Sequence, residues 1–151
     1  MKKISNPMRF AINLAKDNQC EKDIPVACVI VNEHNFLISK AINMSEKKHD
    51  PTAHAEIEAI KKASKILRKD EFRNLSLYVT LEPCPMCEAA IIISGIKKIY
   101  FGAYDISFKR KLFEKKKNYH NYKSKLQFFG GICEEECKTL MDNFFKKIRR
   151  D

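Results

Sequence analysis

Residues 75–102 read LSLYVTLEPCPMCEAAIIISGIKKIYFG, and this stretch decides the fold. Leu75 to Thr80 is dominated by β-branched, aromatic and leucine residues and has the length of a strand. Pro83 to Ser94 follows as an almost wholly apolar helix. Pro85 falls in its first turn, where a missing N–H costs nothing, and Gly95 stands at its stop. Ile99 to Gly102 is again a short strand.

The same alternation recurs on either side of it. Ile24 to Val31 and Asn35 to Ala41 are β-rich runs joined by a polar turn at Asn32-Glu33-His34, an antiparallel pair. Pro7 to Gln19 carries Met8, Ile12, Leu14 and Ala15 among polar residues and reads as an amphipathic opening helix. After a polar loop, Asn43 to Pro51, a second helical pattern opens at Thr52-Ala53-His54-Ala55-Glu56. In it Ile57, Ile60, Ser64 and Leu67 recur at helical spacing, and Ala59, Ala63 and Ile66 widen the apolar face. Downstream, Leu126 to Phe129 is a strand, and Glu134 to Arg150 is a closing helix, acidic first and basic last, as its dipole favours. Strands alternating with helices indicate a three-layer α/β/α architecture, with helices on both faces of one sheet. The opening hairpin makes that five-stranded sheet mixed. The helix at 85–94, apolar all round, is expected deepest in the core. At 151 residues, 1–151 suits a single domain.

Composition narrows the class. Apolar residues make up 44% and charged residues 32%, which is globular rather than disordered material. The N-terminal residues break their apolar run with Asn6, Pro7 and Arg9, so no signal peptide is expected. The longest apolar runs, Val26 to Val31 and Ala89 to Ile93, are too short to cross a bilayer, so no membrane association and a cytoplasmic location are expected. In that reducing compartment, six cysteines point to metal ligands or free thiols instead of disulfides. The formal charge of +10 is unevenly placed: residues 97–125 hold 10 Lys or Arg against 2 Asp or Glu. Such a segment is either a solvated loop or a surface for a polyanion.

Two short motifs carry the chemistry. Cys84-Pro85-Met86-Cys87 opens a helix directly after a strand, so two sulfurs three residues apart share one face and reach one ion. A helix N-terminus favours the thiolate, the form that binds metal. Alone, a C-x-x-C is a metal site, a redox pair or chance. His54 and Glu56 supply the other half. Two apart, they converge on one cleft only where the chain enters a helix, and they sit there. His54, Cys84 and Cys87 make three ligands for one Zn2+ per chain, leaving a fourth position for water, the catalytic pattern for zinc. A nearby carboxylate, Glu56, then moves protons. The combination of H-x-E with P-C-x-x-C is the signature of zinc-dependent nucleobase deaminases.

The stretches His49-Asp50-Pro51-Thr52-Ala53-His54-Ala55-Glu56-Ile57 and Leu77 to Cys87 resemble the bacterial tRNA adenosine deaminase family, within the cytidine and deoxycytidylate deaminase superfamily. Further similar segments are Asp23-Ile24-Pro25-Val26, Ile99-Tyr100-Phe101-Gly102-Ala103 and the region of Cys137 and Phe144-Phe145. The resemblance implies a cytidine-deaminase-like fold, a homodimer, and conversion of adenosine to inosine at the wobble position of a tRNA anticodon loop. By position, it implies that Asn43 hydrogen-bonds the extruded base, that the Ala55 backbone lies beside it, and that Phe145 helps to hold neighbouring nucleotides. The chain departs from the family pattern at Ala27, where glycine is usual, at Met44, where arginine is usual, and through the Lys-rich run Ser107 to Lys117. These changes leave the chemistry alone and bear on the substrate. Two other readings share the motif: a deaminase of free guanine or cytosine-type bases or nucleosides, and a non-catalytic zinc-stapled RNA-binding module. The second needs a fourth side-chain ligand, for which Cys28 is the candidate.

Overall fold

The structure, a computed structural model, describes residues 1–18, 21–107 and 126–151. Cys20 and most of the Lys-rich run, with Lys115, Lys116 and Lys117, lie outside the described residues. In chain order the elements are α1 (Pro7–Lys16), β1 (Ala27–Val31), β2 (Leu37–Ile42), α2 (Ala55–Ala63), a 3₁₀ helix (Lys69–Asn74), β3 (Ser76–Leu81), α3 (Pro85–Ser94), β4 (Lys98–Ala103), β5 (Gln127–Phe129) and α4 (Glu134–Arg150).

Five strands form one sheet in the order β2-β1-β3-β4-β5. β1 runs antiparallel to both β2 and β3, while β3, β4 and β5 are parallel, so the sheet is mixed as expected. The register places Tyr78, Tyr100 and Phe129 side by side on three neighbouring strands. Their rings stack with centroids 4.5 and 4.8 Å apart, which pins that register.

β1 is buried along its whole length because both of its faces are covered. Cys28 and Ile30 point to one side, where they pack with Leu77, Val79, Ile99 and Phe101 beneath α2 and α3. Ala27, Val29 and Val31 point to the other side, against Met8, Ala11, Ile12 and Ala15 of α1 and Cys137 of α4. Period-2 alternation on a central strand thus divides the interior into two apolar layers. α1 starts at Asn6, whose side chain accepts a hydrogen bond from the Arg9 N–H at 3.0 Å. A two-pronged ion pair between Arg9 and Glu136 joins α1 to α4 across that layer.

Two expectations need correction. The helix at 85–94 is not the deepest element: only Cys87, Glu88 and Ile91 are buried on α3, and Ile93 is 75% exposed. One of its faces packs on the sheet and another borders an open apolar groove, so its all-round hydrophobicity serves two surfaces. The strand expected from Ile24 begins at Ala27, because Pro25 has no N–H for the ladder and the Val26 N–H turns back to the Ile24 carbonyl at 2.8 Å.

Gly102 on β4 is where α4 lies closest to the sheet. A Cβ there would meet Cys137 Sγ at 2.3 Å and the Thr80 carbonyl oxygen at 2.7 Å. Gly102→Ala should therefore destabilise the fold by about 1–3 kcal/mol, the usual scale of overpacking. Urea denaturation that found the variant within about 0.5 kcal/mol of wild type, the scatter of harmless surface changes, would refute this close packing.

Candidate metal and catalytic site

β2, β3 and β4 end on the same side of the sheet, and the segments that leave them wall a cleft of about 960 Å³. Asn43 follows β2, Glu82 follows β3 and Tyr104 follows β4, and all three line it. His54, Ala55 and Glu56 form another wall at the start of α2.

Both helices that open onto the cleft begin with a candidate ligand. His54 is the N-cap of α2 and Cys84 the N-cap of α3, each in extended conformation, and neither side chain caps its own helix. Their polar atoms turn towards each other instead. His54 Nδ1 lies 3.6 Å from Cys84 Sγ and 3.5 Å from Cys87 Sγ. Ideal tetrahedral zinc, with bonds of roughly 2.05 Å to nitrogen and 2.3 Å to sulfur, puts such donors about 3.6 Å apart. The donor set and its spacing therefore fit zinc. Among the described residues, no other group of three or more His, Cys, Asp or Glu gathers in this way. Cys28, the candidate fourth ligand, is fully buried in β1 beside Glu56 and stands outside the group. That leaves three protein donors.

The electrostatics follow from this crowding. Hydrogen bonds from Cys87 and from His54 pull the Cys84 thiol down to about 4, so it is a thiolate at neutral pH. Cys87 is pushed up, by the hydrogen bond it shares with that thiolate and by burial. His54 is raised by its hydrogen bond to Cys84. Glu56 is 4% exposed, and burial pushes its carboxyl up to about 7. A carboxyl poised there can both take and return a proton near neutral pH.

The other expected site residues divide. Asn43 is 5% exposed and Ala55 is fully buried, and both line the cleft that Glu56 also lines. Phe145 is 46% exposed on α4 at the cleft's mouth, and its ring meets Phe144 edge-on at 5.4 Å. Sequence reading missed Glu82 and Asp23. Glu82 accepts the Asp105 N–H at 3.1 Å and so fixes the segment that leaves β4. Asp23 is 2% exposed, and its carboxylate binds the loop that carries Asn43. The signal available for Asp23 was an acid abutting a wholly apolar run.

The chain belongs to the cytidine and deoxycytidylate deaminase family, whose zinc-binding region matches residues 1–103. Within that zinc-dependent class it is similar to proteins of narrower description. It is 38% identical over 149 residues to the tRNA-specific adenosine deaminase of Haemophilus influenzae, covering 95% of this chain and 84% of that protein. It is 39% identical over 146 residues to the tRNA-specific adenosine deaminase of Rickettsia bellii, covering 94% and 99%. Its structure superimposes, with a TM-score of 0.75 and 30% identity, on one from work on A-to-I editing by tRNA:A34 deaminases at the wobble position of transfer RNA. That superposition covers 89% of this chain and 97% of the other.

The cluster is expected to hold one zinc ion per chain, and Cys87→Ala to lose it to a chelator far faster than wild type. Metal analysis of dialysed Cys87→Ala showing full zinc content would remove Cys87 from the ligand set.

Proposed function

We propose that this chain hydrolyses adenosine to inosine in RNA, at the wobble position of a tRNA anticodon loop. The observation that carries the chemistry is Glu56, a buried carboxyl poised near neutrality beside a three-donor cluster in the wall of a cleft roomy enough for a nucleotide. Zinc held by His54, Cys84 and Cys87 would activate a water for attack on the carbon that bears the amino group. Glu56 would take the proton released from that water and deliver it to the base ring, then take the proton of the newly attached hydroxyl and pass it to the amino group, which leaves as ammonia. Cys28 and the apolar layer behind Glu56 keep bulk water from its far side. Asn43 contributes an amide for the base edge, and the Ala55 backbone lies alongside. Phe145, exposed at the mouth, offers a ring for a neighbouring nucleotide.

Identity of 38–39% over nearly the whole chain to tRNA-specific adenosine deaminases supports the substrate. A loop base also costs less to extrude than a paired one. The excess positive charge of residues 97–125 suits a polyanion. No described helix is long and apolar enough to cross a membrane, and the described cysteines are free thiols, which suits a cytoplasmic enzyme.

The same reading includes a homodimer. Ile57, Ile60, Leu67, Phe72, Ala90 and Ile93 line an apolar groove of about 500 Å³ between α2 and α3, and Ile93 stands largely in solvent. A second copy covering that groove would bury the exposed side of α3.

Inosine mapping of tRNA incubated with the purified protein tests the activity. Glu56→Ala should keep its zinc and lose about 10²–10⁴-fold in rate. A variant within tenfold of wild type would end the proton-transfer role. Rapid turnover of free guanine or cytidine with none on tRNA would overturn the substrate.

Self-association has its own check. Sedimentation at micromolar concentration should give a dimer for wild type and a shift to monomer for Ile93→Glu. A wild-type monomer would count against the dimer.

A further inference from the structure

Asp23 is a buried carboxylate for which the catalytic chemistry has no use. Its Oδ1 accepts the Asn43 side-chain N–H at 3.1 Å and the Glu46 backbone N–H at 2.8 Å, and its Oδ2 accepts the Lys47 N–H at 3.1 Å. On the other side of the amide, the Ser45 hydroxyl donates to Asn43 Oδ1 at 3.0 Å. The Asn43 backbone is fixed as well, its N–H donating to the Val26 carbonyl at 2.9 Å.

These contacts do more than hold a loop. The two ends of an asparagine amide have nearly the same shape and opposite hydrogen-bonding character. A carboxylate only accepts, so the end that faces Asp23 has to be the NH2; reversing the amide would set oxygen against oxygen. One N–H and one lone pair then remain uncommitted, in a fixed order, on a side chain that lines the cleft beside His54 and Glu56. Ser45, whose hydroxyl can serve either end, reinforces that order without setting it.

We infer that Asp23 is a positioning residue for base recognition: it sets the donor and acceptor order that Asn43 presents to the substrate base. This rests on the reading above that Asn43 meets the base. The rival role is that of a loop fastener, acting through the Glu46 and Lys47 amides.

A double-mutant cycle on the zinc-loaded protein separates the two. Asp23→Asn removes the acceptor-only partner and should lower kcat/KM on an anticodon stem-loop roughly 10–100-fold, the scale of a lost charged hydrogen bond. Zinc content should be unchanged. If Asp23 acts through Asn43, the double variant Asp23→Asn/Asn43→Ala should fall no more than about threefold below Asn43→Ala alone, since residues in one network are not additive. Losses that multiply across the cycle would overturn the proposal in favour of the fastener. A second measurement needs no variant of Asp23 to fold and no activity. In the amide NMR spectrum of the wild-type protein, one Asn43 side-chain proton, assigned by its absence in Asn43→Ala, should be shifted downfield and slow to exchange. Two ordinary, fast-exchanging Asn43 protons would overturn the proposal. Should the wild type deaminate a free base and no tRNA, the substrate reading alone fails, and the same cycle on that base decides Asp23.

Discussion

The site depends on one geometric demand. A histidine nitrogen must stand about 3.5–3.6 Å from each of two sulfurs some thirty residues further along the chain, with all three donors within 4.8 Å of one another and no disulfide to hold them there. The fold meets it by starting two helices at the same end of the sheet. α2 follows β2, α3 follows β3, and β1 lies between those strands, so both helix N-termini converge above β1. Small residues allow the approach. Ala55, Ala59 and Ala63 are fully buried along one stripe of α2, which lets that helix sit low on the sheet. The Ser39 hydroxyl ties the same stripe down by donating to the Ala59 carbonyl at 2.8 Å.

That convergence also sets the charges. Cys84, at the N-terminus of α3, is held as a thiolate first by hydrogen bonds from Cys87 and His54, and the positive ends of the two helices act in the same direction. Glu56 stands on the first turn of one of those helices, where the same dipole favours a carboxylate. Burial and the neighbouring Cys84 oppose it, and they win: the carboxyl rises to about 7. The neighbouring starts of two helices therefore hold an anion that stays ionised, Cys84 on α3, and an acid poised to gain and lose its proton, Glu56 on α2. The difference between them comes from solvent access and hydrogen bonding, not from distance to the dipole.

How much of this was legible in sequence follows from the range of each interaction. The cluster was readable because its signals are local: Cys84 and Cys87 share one helical turn, and His54 and Glu56 straddle one helix start. β1 was readable as a strand for the same reason, as a short run of β-branched apolar residues, though not how its two faces divide the core. α3 misled because hydrophobicity reports that a residue leaves water, not what covers it, and Ile93 faces a groove instead of the core. The 3₁₀ helix at Lys69–Asn74 escaped notice because Phe72 alone among its residues is apolar, so it shows no period. An acid abutting an apolar run marked Asp23 as unusual, but not what it binds, because its partners lie twenty and more positions away, at Asn43, Glu46 and Lys47.

The same distinction separates reaction from recognition. The groups that would activate water and move protons sit on helix starts, where backbone geometry fixes them within a turn of sequence. The Asn43 amide is fixed by a carboxylate from the segment before β1 and a hydroxyl from the loop after β2. These two supports come from opposite sides of the β1–β2 hairpin, and neither touches a metal donor in this structure. A substitution in the loop at 44–47 can therefore alter what the amide presents while the zinc cluster and Glu56 stay in place. The departure at Met44 lies in that loop, next to Ser45, whose hydroxyl completes the clamp.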